Sequence, residues 1–352
     1  MRFNVSSPPG KHLQTITLET VNELVSFENS WTALTKDCAQ SVFQMPGWVI
    51  QWFKAFGRDF KPNCIAVTDG GKLVGFAPLM ISELGGTKLL EFAGSFLNDY
   101  NAFLASHHRV REVGKLVFRR LADESARWDL FKISAIEDFK MALGVDNFDL
   151  FGLAFRPTGY EQSPSFNLPS DWTKYLTKLP QKRVRCLEDL KQRLLLRESC
   201  QFNVSIDPTE IVNCMDEFES NRLRSWQYRG RIHDLPPLIT TKRFSNFLKA
   251  VGKTLPTSNG LHFAFLRRGT HIIAAGLYFS ANARLMKYMQ SWNCDYARMS
   301  PGTVLDWLVI QYAIEKGFRV FDFGQGDEPY KFRFGAKNRP LQHAVITPIL
   351  TI

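Results

Sequence analysis

The sequence predicts an α/β (α+β) fold used twice, and three observations point to it. One order of elements, βααβββαβαβ, can be read by hydrophobic periodicity and Gly/Pro punctuation in each half of the 352 residues. A stretch rich in Pro, Ser and Gly, from Pro157 to Ser170, separates the two series. Hydrophobic residues at 45% and charged residues at 22% supply enough apolar surface for a core in each half and exclude a disordered chain.

In the first half, a strand TITLE (Thr15–Glu19) precedes helices from Val21 to Lys36 and from Pro46 to Phe56. Strands CIAVTD, KLVGFAPLMIS and KLLEFAG follow, then a helix from Val110 to Leu121, the strand DLFKISAI, a short helix from Glu137 to Leu143 and a closing strand DNFDLFGLAF. The second half repeats the order. A strand from Gln201 to Ile206 leads to helices Pro208–Tyr228 and Thr241–Gly252, then to strands LHFAFLRR, HIIAAGLYFS and ARLMKYMQSW. A helix from Pro301 to Lys316, closed by Gly317, precedes the strand FRVFDF, a short helix from Glu328 to Phe332 and the last strand LQHAVITPI.

Several classes of function are excluded by what surrounds these elements. The amino-terminal MRFNVSSPPGKHLQ has no apolar leader region, and no run approaches the roughly 18 apolar residues of a membrane helix, so a cytoplasmic protein is expected. Six cysteines without a C-x-x-C pair predict reduced thiols, mostly in the core, and neither a disulfide framework nor a zinc cluster. The histidines form no H-E-x-x-H, so no metal is expected. The D-F-G within FDFGQGDEPYKFRFG lacks the Gly-rich loop, strand lysine and H-R-D loop that a kinase needs around it. Neither G-x-S-x-G nor G-x-G-x-x-G is present.

The formal net charge of +10 suits an anionic partner, and much of the excess lies in KYLTKLPQKRVRCLEDLKQRLLLRE, Lys174 to Glu198. Val184, Leu187, Leu190, Leu194 and Leu195 recur there at helical spacing, which predicts an amphipathic helix with a solvated basic face. No nucleic-acid motif accompanies it, so DNA is not an expected partner, while peripheral contact with the inner membrane is.

Chemistry is concentrated near the carboxyl end. In YARMSPGTVLDWLVIQYAIEKG, Ser300 is placed to cap a helix, Pro301 fits its first position, and Gly302 leaves room for a ligand. The amides of Gly302, Thr303 and Val304 are then expected to be free at the positive end of the helix, where phosphate binds, with Arg298 adding charge.

Together, SPGTVL, FDFGQGDEPYKFRFG, LVGFAPLM and GSFLNDY resemble the GNAT acyltransferases, and more closely the CelD-like and FemAB-type branch with two GNAT-like halves. The resemblance implies tandem GNAT-like domains, each a mixed, mostly antiparallel sheet flanked by helices. Residues 1–165 would be an N-terminal domain without a donor loop, 166–200 a linker with the basic helix, and 201–352 the domain carrying the donor site. In the Q/R-x-x-G-x-G/A loop of GNAT enzymes, Arg298 matches the first position, while Pro301 replaces the first glycine and Thr303 the last small residue.

What the resemblance implies for function is transfer of an acyl group to an amine of a sugar, a nucleotide sugar or a lipid precursor in cell-envelope or exopolysaccharide biosynthesis. The donor would be acetyl-CoA or another acyl-CoA used as co-substrate, or an acyl carrier protein, with no permanently bound cofactor. Tyr330 would be the acid that protonates the leaving thiolate, and Asp322 or Glu328 would act as base or orient the amine. Arg298, Ser300, Gly302, Thr303, Val304, Trp292, Asn293 and Lys331 would bind the donor, with the backbone from Gln290 to Asn293 stabilising the oxyanion. Asp99, Tyr100, Arg222 and Trp226 would contact the acceptor. Two alternatives stand beside this reading: a FemAB-type transferase taking an aminoacyl group from tRNA, and a non-catalytic scaffold in polysaccharide or lipid assembly.

Overall fold

The computed structural model describes residues 13–145, 147–256 and 260–349. The amino-terminal stretch read above for a leader lies largely outside them, as does Asp146 at the start of DNFDLFGLAF. The chain divides into two compact units, one formed by the residues up to Ala39, Gln44–Gly159 and the segment from Gln342 onward, the other by Gln40–Phe43 and Tyr160–Leu341.

The first unit starts with β1 (Leu13–Leu18), α1 (Val21–Ser26), α2 (Glu28–Cys38) and α3 (Pro46–Phe56). The single helix expected from Val21 to Lys36 is two, because the Phe27 amide closes α1 onto Leu24 before α2 begins. Next come β2 (Lys61–Pro62), β3 (Cys64–Asp69), β4 (Lys72–Ala77), β5 (Leu79–Leu84), β6 (Thr87–Phe92) and β7 (Leu104–Ala105). The one strand expected from Lys72 to Ser82 is β4 plus β5. Pro78 between them has no N–H for a ladder, and the two pieces enter different sheets, β1-β3-β4-β7 and β2-β5-β6-β8-β16-β9. The remaining elements are α4 (Val110–Asp123), β8 (Leu130–Ile136), α5 (Phe139–Leu143) and β9 (Leu153–Gln162). Val113, Val117, Phe118 and Leu121 of α4 pack with Phe92, Phe103 and Phe131 in the core. The proposed linker from Pro157 to Ser170 is largely strand: it holds the end of β9 and all of β10 (Ser165–Asn167).

In the second unit, α6 (Trp172–Thr177) and α7 (Gln181–Gln192) replace the single basic helix, since Pro180 interrupts it. Val184 and Leu187 of α7 face the core while Lys182 and Arg185 are exposed, and the Trp307 indole donates to Glu188 (2.9 Å). Then follow β11 (Gln201–Ser205), α8 (Pro208–Tyr228), α9 (Lys242–Thr254), β12 (Leu261–Arg268), β13 (His271–Ala281), β14 (Arg284–Trp292), α10 (Pro301–Glu315) and β15 (Val320–Asp322). Asp207 caps α8 and Thr241 caps α9, each accepting a first-turn amide. The expected helix from Glu328 to Phe332 is a 3-10 turn over Lys331–Phe334, and the last strand is β16 (Pro340–Pro348). Strands β11 to β14 form an antiparallel meander, and β15 joins β14 in parallel only where Arg284–Met286 face Val320–Asp322.

A buried histidine in this unit gives a pH-dependent stability. His262 contacts the Ser280 hydroxyl (2.9 Å) and the Tyr312 hydroxyl (3.3 Å), and burial pushes its pKa down to about 4. Its neutral form is favoured in the fold, so its contribution is complete above about pH 6.5 and is lost as pH falls toward 4, by up to about 3 kcal/mol. Urea unfolding at pH 7 and pH 4.5 should show this loss, and His262→Gln should reduce it. An unchanged loss in that variant would remove His262 as the cause.

Of the six cysteines, Cys64, Cys200 and Cys214 are buried and Cys186 is exposed on α7. No helix of the described residues is long and apolar enough to cross a membrane. Among the same residues no group of three or more His, Cys, Asp or Glu is placed to hold a metal ion.

Candidate functional site

Past Met286 the outer edge of β14 has no strand partner among the described residues, because β15 ends its pairing there and the chain turns away at Gly324 (φ 67°). The space between is a cavity of about 650 Å3, walled by the end of α8, the tip of α10, β14 from Lys287 to Gln290 with Trp292, and the loop after β15. Backbone amides on that unpaired edge are the groups able to face a developing oxyanion.

The tip of α10 departs from expectation. Ser300 sits in the left-handed region (φ 50°, ψ 52°) and its side chain makes no capping bond. That backbone turn directs the Ser300 carbonyl into the helix, where it accepts from the amides of Thr303 (2.9 Å) and Val304 (3.2 Å). Of the three amides expected to be free, only that of Gly302 has no acceptor among the described residues. Gln290 reaches over the tip, donating to the Gly302 carbonyl (3.0 Å) and to Asp306 (3.0 Å). A Cβ on residue 302 would lie 2.9 Å from the Gln290 side-chain oxygen, so glycine is what lets this glutamine sit there. Ser300, Gly302 and Thr303 line the cavity; Val304 is instead fully buried in the core.

The loop FDFGQGDEPYKFRFG is organised from beneath. Asp322, fully buried, accepts from the Gly324 amide (2.9 Å) and pairs with Arg284 (3.2 Å) and Arg339 (3.1 Å). It holds the turn and does not line the cavity, contrary to a role as base. Lys331 is also buried. Its ammonium donates to the carbonyls of Gly324 (3.3 Å), Gln325 (2.5 Å) and Gly326 (2.9 Å) and pairs with Glu328 (2.9 Å), so it braces the loop and has no donor left for a phosphate. Glu328 lines the cavity; burial raises its pKa, but the Lys331 hydrogen bond and charge outweigh this and hold it below the ordinary value.

Tyr330 lines the cavity and packs edge-on against Phe323 (6.1 Å). Beside it is an arrangement that no expectation above named. The Lys287 ammonium lies 4.8 Å from the centre of the Tyr330 ring and pairs with Asp306 at 2.8 Å. Asp306 also accepts from Tyr278 (3.1 Å). Both charged side chains are nearly inaccessible, at 5% and 1% exposure, which requires them to be paired. Burial alone would lower the Lys287 pKa; the adjoining Asp306 carboxylate, with Tyr330 adding to it, more than reverses this and keeps the amine protonated. Burial raises the Tyr330 hydroxyl above its ordinary value, with Lys287 pulling part of the way back. The legible sign was Asp306 itself, an acid in the otherwise apolar run PGTVLDWLVI.

At the opposite wall Trp226 carries two guanidinium groups, Arg229 at 4.5 Å and Arg231 at 5.4 Å from its ring. Arg229 donates from Nε to the Ser225 carbonyl (3.1 Å), and its terminal nitrogens have no acceptor among the described residues. Burial and the neighbouring Arg231 lower its pKa, the mark of cations crowded together. Arg222 reaches the same wall but is committed, gripping Glu219 through two bonds (3.1 and 2.7 Å) and donating to the Ile239 carbonyl.

Trp292 lines the cavity and meets Tyr228 edge-on. Asn293 is used as a cap, accepting from the Asp295 amide (3.0 Å), and Arg298 is exposed; neither lines the cavity. Asp99 and Tyr100 belong to the first unit, in the segment between β6 and β7, where Asn98 holds the turn through Ala93 and Asn101.

The Acetyltransferase (GNAT) domain family model matches residues 182–332, a span that contains every residue lining the cavity. No curated protein matches the chain in sequence. Among solved structures the chain is similar to FemX, with a TM-score of 0.64 at 11% identity over 94% of this chain and 96% of that one. It is also similar to the C-terminal domain of a protein assigned as lysylphosphatidylglycerol synthetase from Agrobacterium fabrum, with a TM-score of 0.56 at 15% identity over 92% of each chain. A third, L-PGS from Bacillus licheniformis, gives 0.55 at 14% identity over 91% of each. At such identities the likeness is one of fold.

Proposed function

We propose that this chain, whose residues 182–332 match the acetyltransferase (GNAT) domain model, transfers an acyl group from acyl-CoA, or from an acyl carrier protein, to an amine of a sugar, nucleotide sugar or lipid precursor of the cell envelope or exopolysaccharide. The observation that carries this reading is Tyr330 in the cavity formed where β14 and β15 part, together with a strand edge whose amides have no strand partner among the described residues. An amine attacking a thioester carbonyl at that edge builds negative charge on oxygen beside backbone donors, and the carbon–sulfur bond then breaks. The Tyr330 hydroxyl, protonated at neutral pH, gives its proton to the departing thiolate. Glu328, whose pKa is held below the ordinary value, is the group suited to orient the incoming amine through its N–H groups. Arg229 and Arg231 supply the charge for a phosphate on either substrate.

A second reading, an aminoacyl group delivered from tRNA, is favoured by the tip of α10. With two of its amides already engaged and Gln290 lying over it, the tip offers a diphosphate a single free backbone donor. The net charge of +10 suits a nucleic-acid donor equally.

The deciding experiment supplies labelled acyl-CoAs of several chain lengths and, separately, charged tRNA, following transfer to an amine panel and the shift in thermal unfolding. Saturating donor, at about a hundred times its Kd, should add about 2.7 kcal/mol of stability. Transfer from acyl-CoA supports the first reading and transfer from tRNA the second; silence with both donor classes would sink the two together.

A further inference from the structure

A buried ion pair beside a tyrosine does more than fill space. Tyr330 is faced by Lys287 from β14, Asp306 from α10, Tyr278 from β13, Arg229 from beyond the end of α8 and Glu328 from its own loop. Among these the Lys287 ammonium both lies over the Tyr330 ring, 4.8 Å from its centre, and is itself anchored in the core, 2.8 Å from Asp306. Tyr278 (3.1 Å) and Gln290 (3.0 Å) donate to the other oxygen of Asp306, so the carboxylate that pairs with the ammonium is itself held in place.

We propose that Lys287, fixed by Asp306, is a positioning residue that makes Tyr330 a reversible proton carrier. Only the identity of the proton's recipient rests on the acyl-transfer reading. The Tyr330 O–H bond breaks as its proton passes to the leaving group, leaving a phenolate against the ammonium. The attacking nitrogen, which must shed one proton as the new C–N bond forms, returns it to that phenolate. One proton leaves Tyr330 and one arrives, so the cycle closes with the lysine protonated throughout. A fixed cation is what such a carrier requires, because an uncompensated phenolate in a buried site is costly.

The test is the ionisation of Tyr330 itself, followed by NMR of protein labelled with 13C-tyrosine, the resonance being assigned with Tyr330→Phe. In Lys287→Gln/Asp306→Asn, side chains of similar size keep neutral hydrogen bonds while both charges go. Tyr330 should then ionise at a higher pH than in the wild type, because the Lys287 charge acts on it more strongly than the Asp306 charge lost with it. In the same variant kcat should fall about 10- to 100-fold with KM little changed, the span of one charge-assisted hydrogen bond. Lys287→Arg, which keeps the charge if the pair variant does not fold, should leave the Tyr330 titration near that of the wild type. An unmoved titration in the folded pair variant, or an Arg variant that behaves like a neutral one, overturns the proposal. A moved titration with no transfer from any donor sustains it and removes the reaction assigned above instead.

Discussion

Tyr330→Phe is expected to lower kcat about 100- to 1,000-fold while leaving the folded protein intact. The ring keeps its edge-on contact with Phe323 and its place beside the Lys287 ammonium, so packing is conserved. What disappears is the hydroxyl proposed above to protonate the leaving group, and positioned proton transfer contributes about 10²- to 10⁴-fold. The loss corresponds to about 3 to 4 kcal/mol of transition-state stabilisation. Steady-state kinetics with the donor that proves active, alongside thermal unfolding, separate the two effects. A variant with wild-type turnover would mean that the leaving group takes its proton elsewhere.

Gly114→Ala is expected to destabilise the first unit by about 3 to 5 kcal/mol, because α4 and α5 meet there backbone to backbone. A Cβ at 114 would lie 2.0 Å from the Leu143 carbonyl oxygen and 2.9 Å from the Gly144 Cα. Gly144 is in turn left-handed (φ 74°), with its own hypothetical Cβ 2.0 Å from the Val110 carbonyl oxygen. Neither obstacle is a flexible side chain, so relief requires separating the helices and opening the core around Val113, Val117 and Leu143. Urea unfolding followed by tryptophan emission reports on this unit through the fully buried Trp31, Trp48, Trp52 and Trp128. A change below about 1 kcal/mol would show that α4 can shift at little cost.

Where a boundary depends on neighbouring residues, it was legible. Pro46, Pro208 and Pro301 each open a helix at the residue read from the sequence, since proline suits the first turn whatever the tertiary context. Pro78 and Pro180 carry equally local information and explain the split strand and the split basic helix. The candidate site was legible in position more than in detail. Tyr330, Gly302 and Trp226 meet in one cavity, although they come from a loop, a helix tip and another helix. The fate of Lys331 depends on three carbonyls converging beneath a turn, and that of the Thr303 and Val304 amides on the dihedral angles of one serine. Lys287 and Asp306 are 19 residues apart, and their pairing exists only once β14 lies under α10.

The last strand has a consequence for how the protein is made. Strand β16 lies between β8 and β9 in its sheet, yet its residues are translated after those of every other strand there. While the ribosome is still adding residues 160–341, β9 has no neighbour to zip onto, and β8 offers a raw edge on that side. The lobe begun first is therefore the lobe finished last, sealed only when the segment around Ala344 has emerged from the exit tunnel.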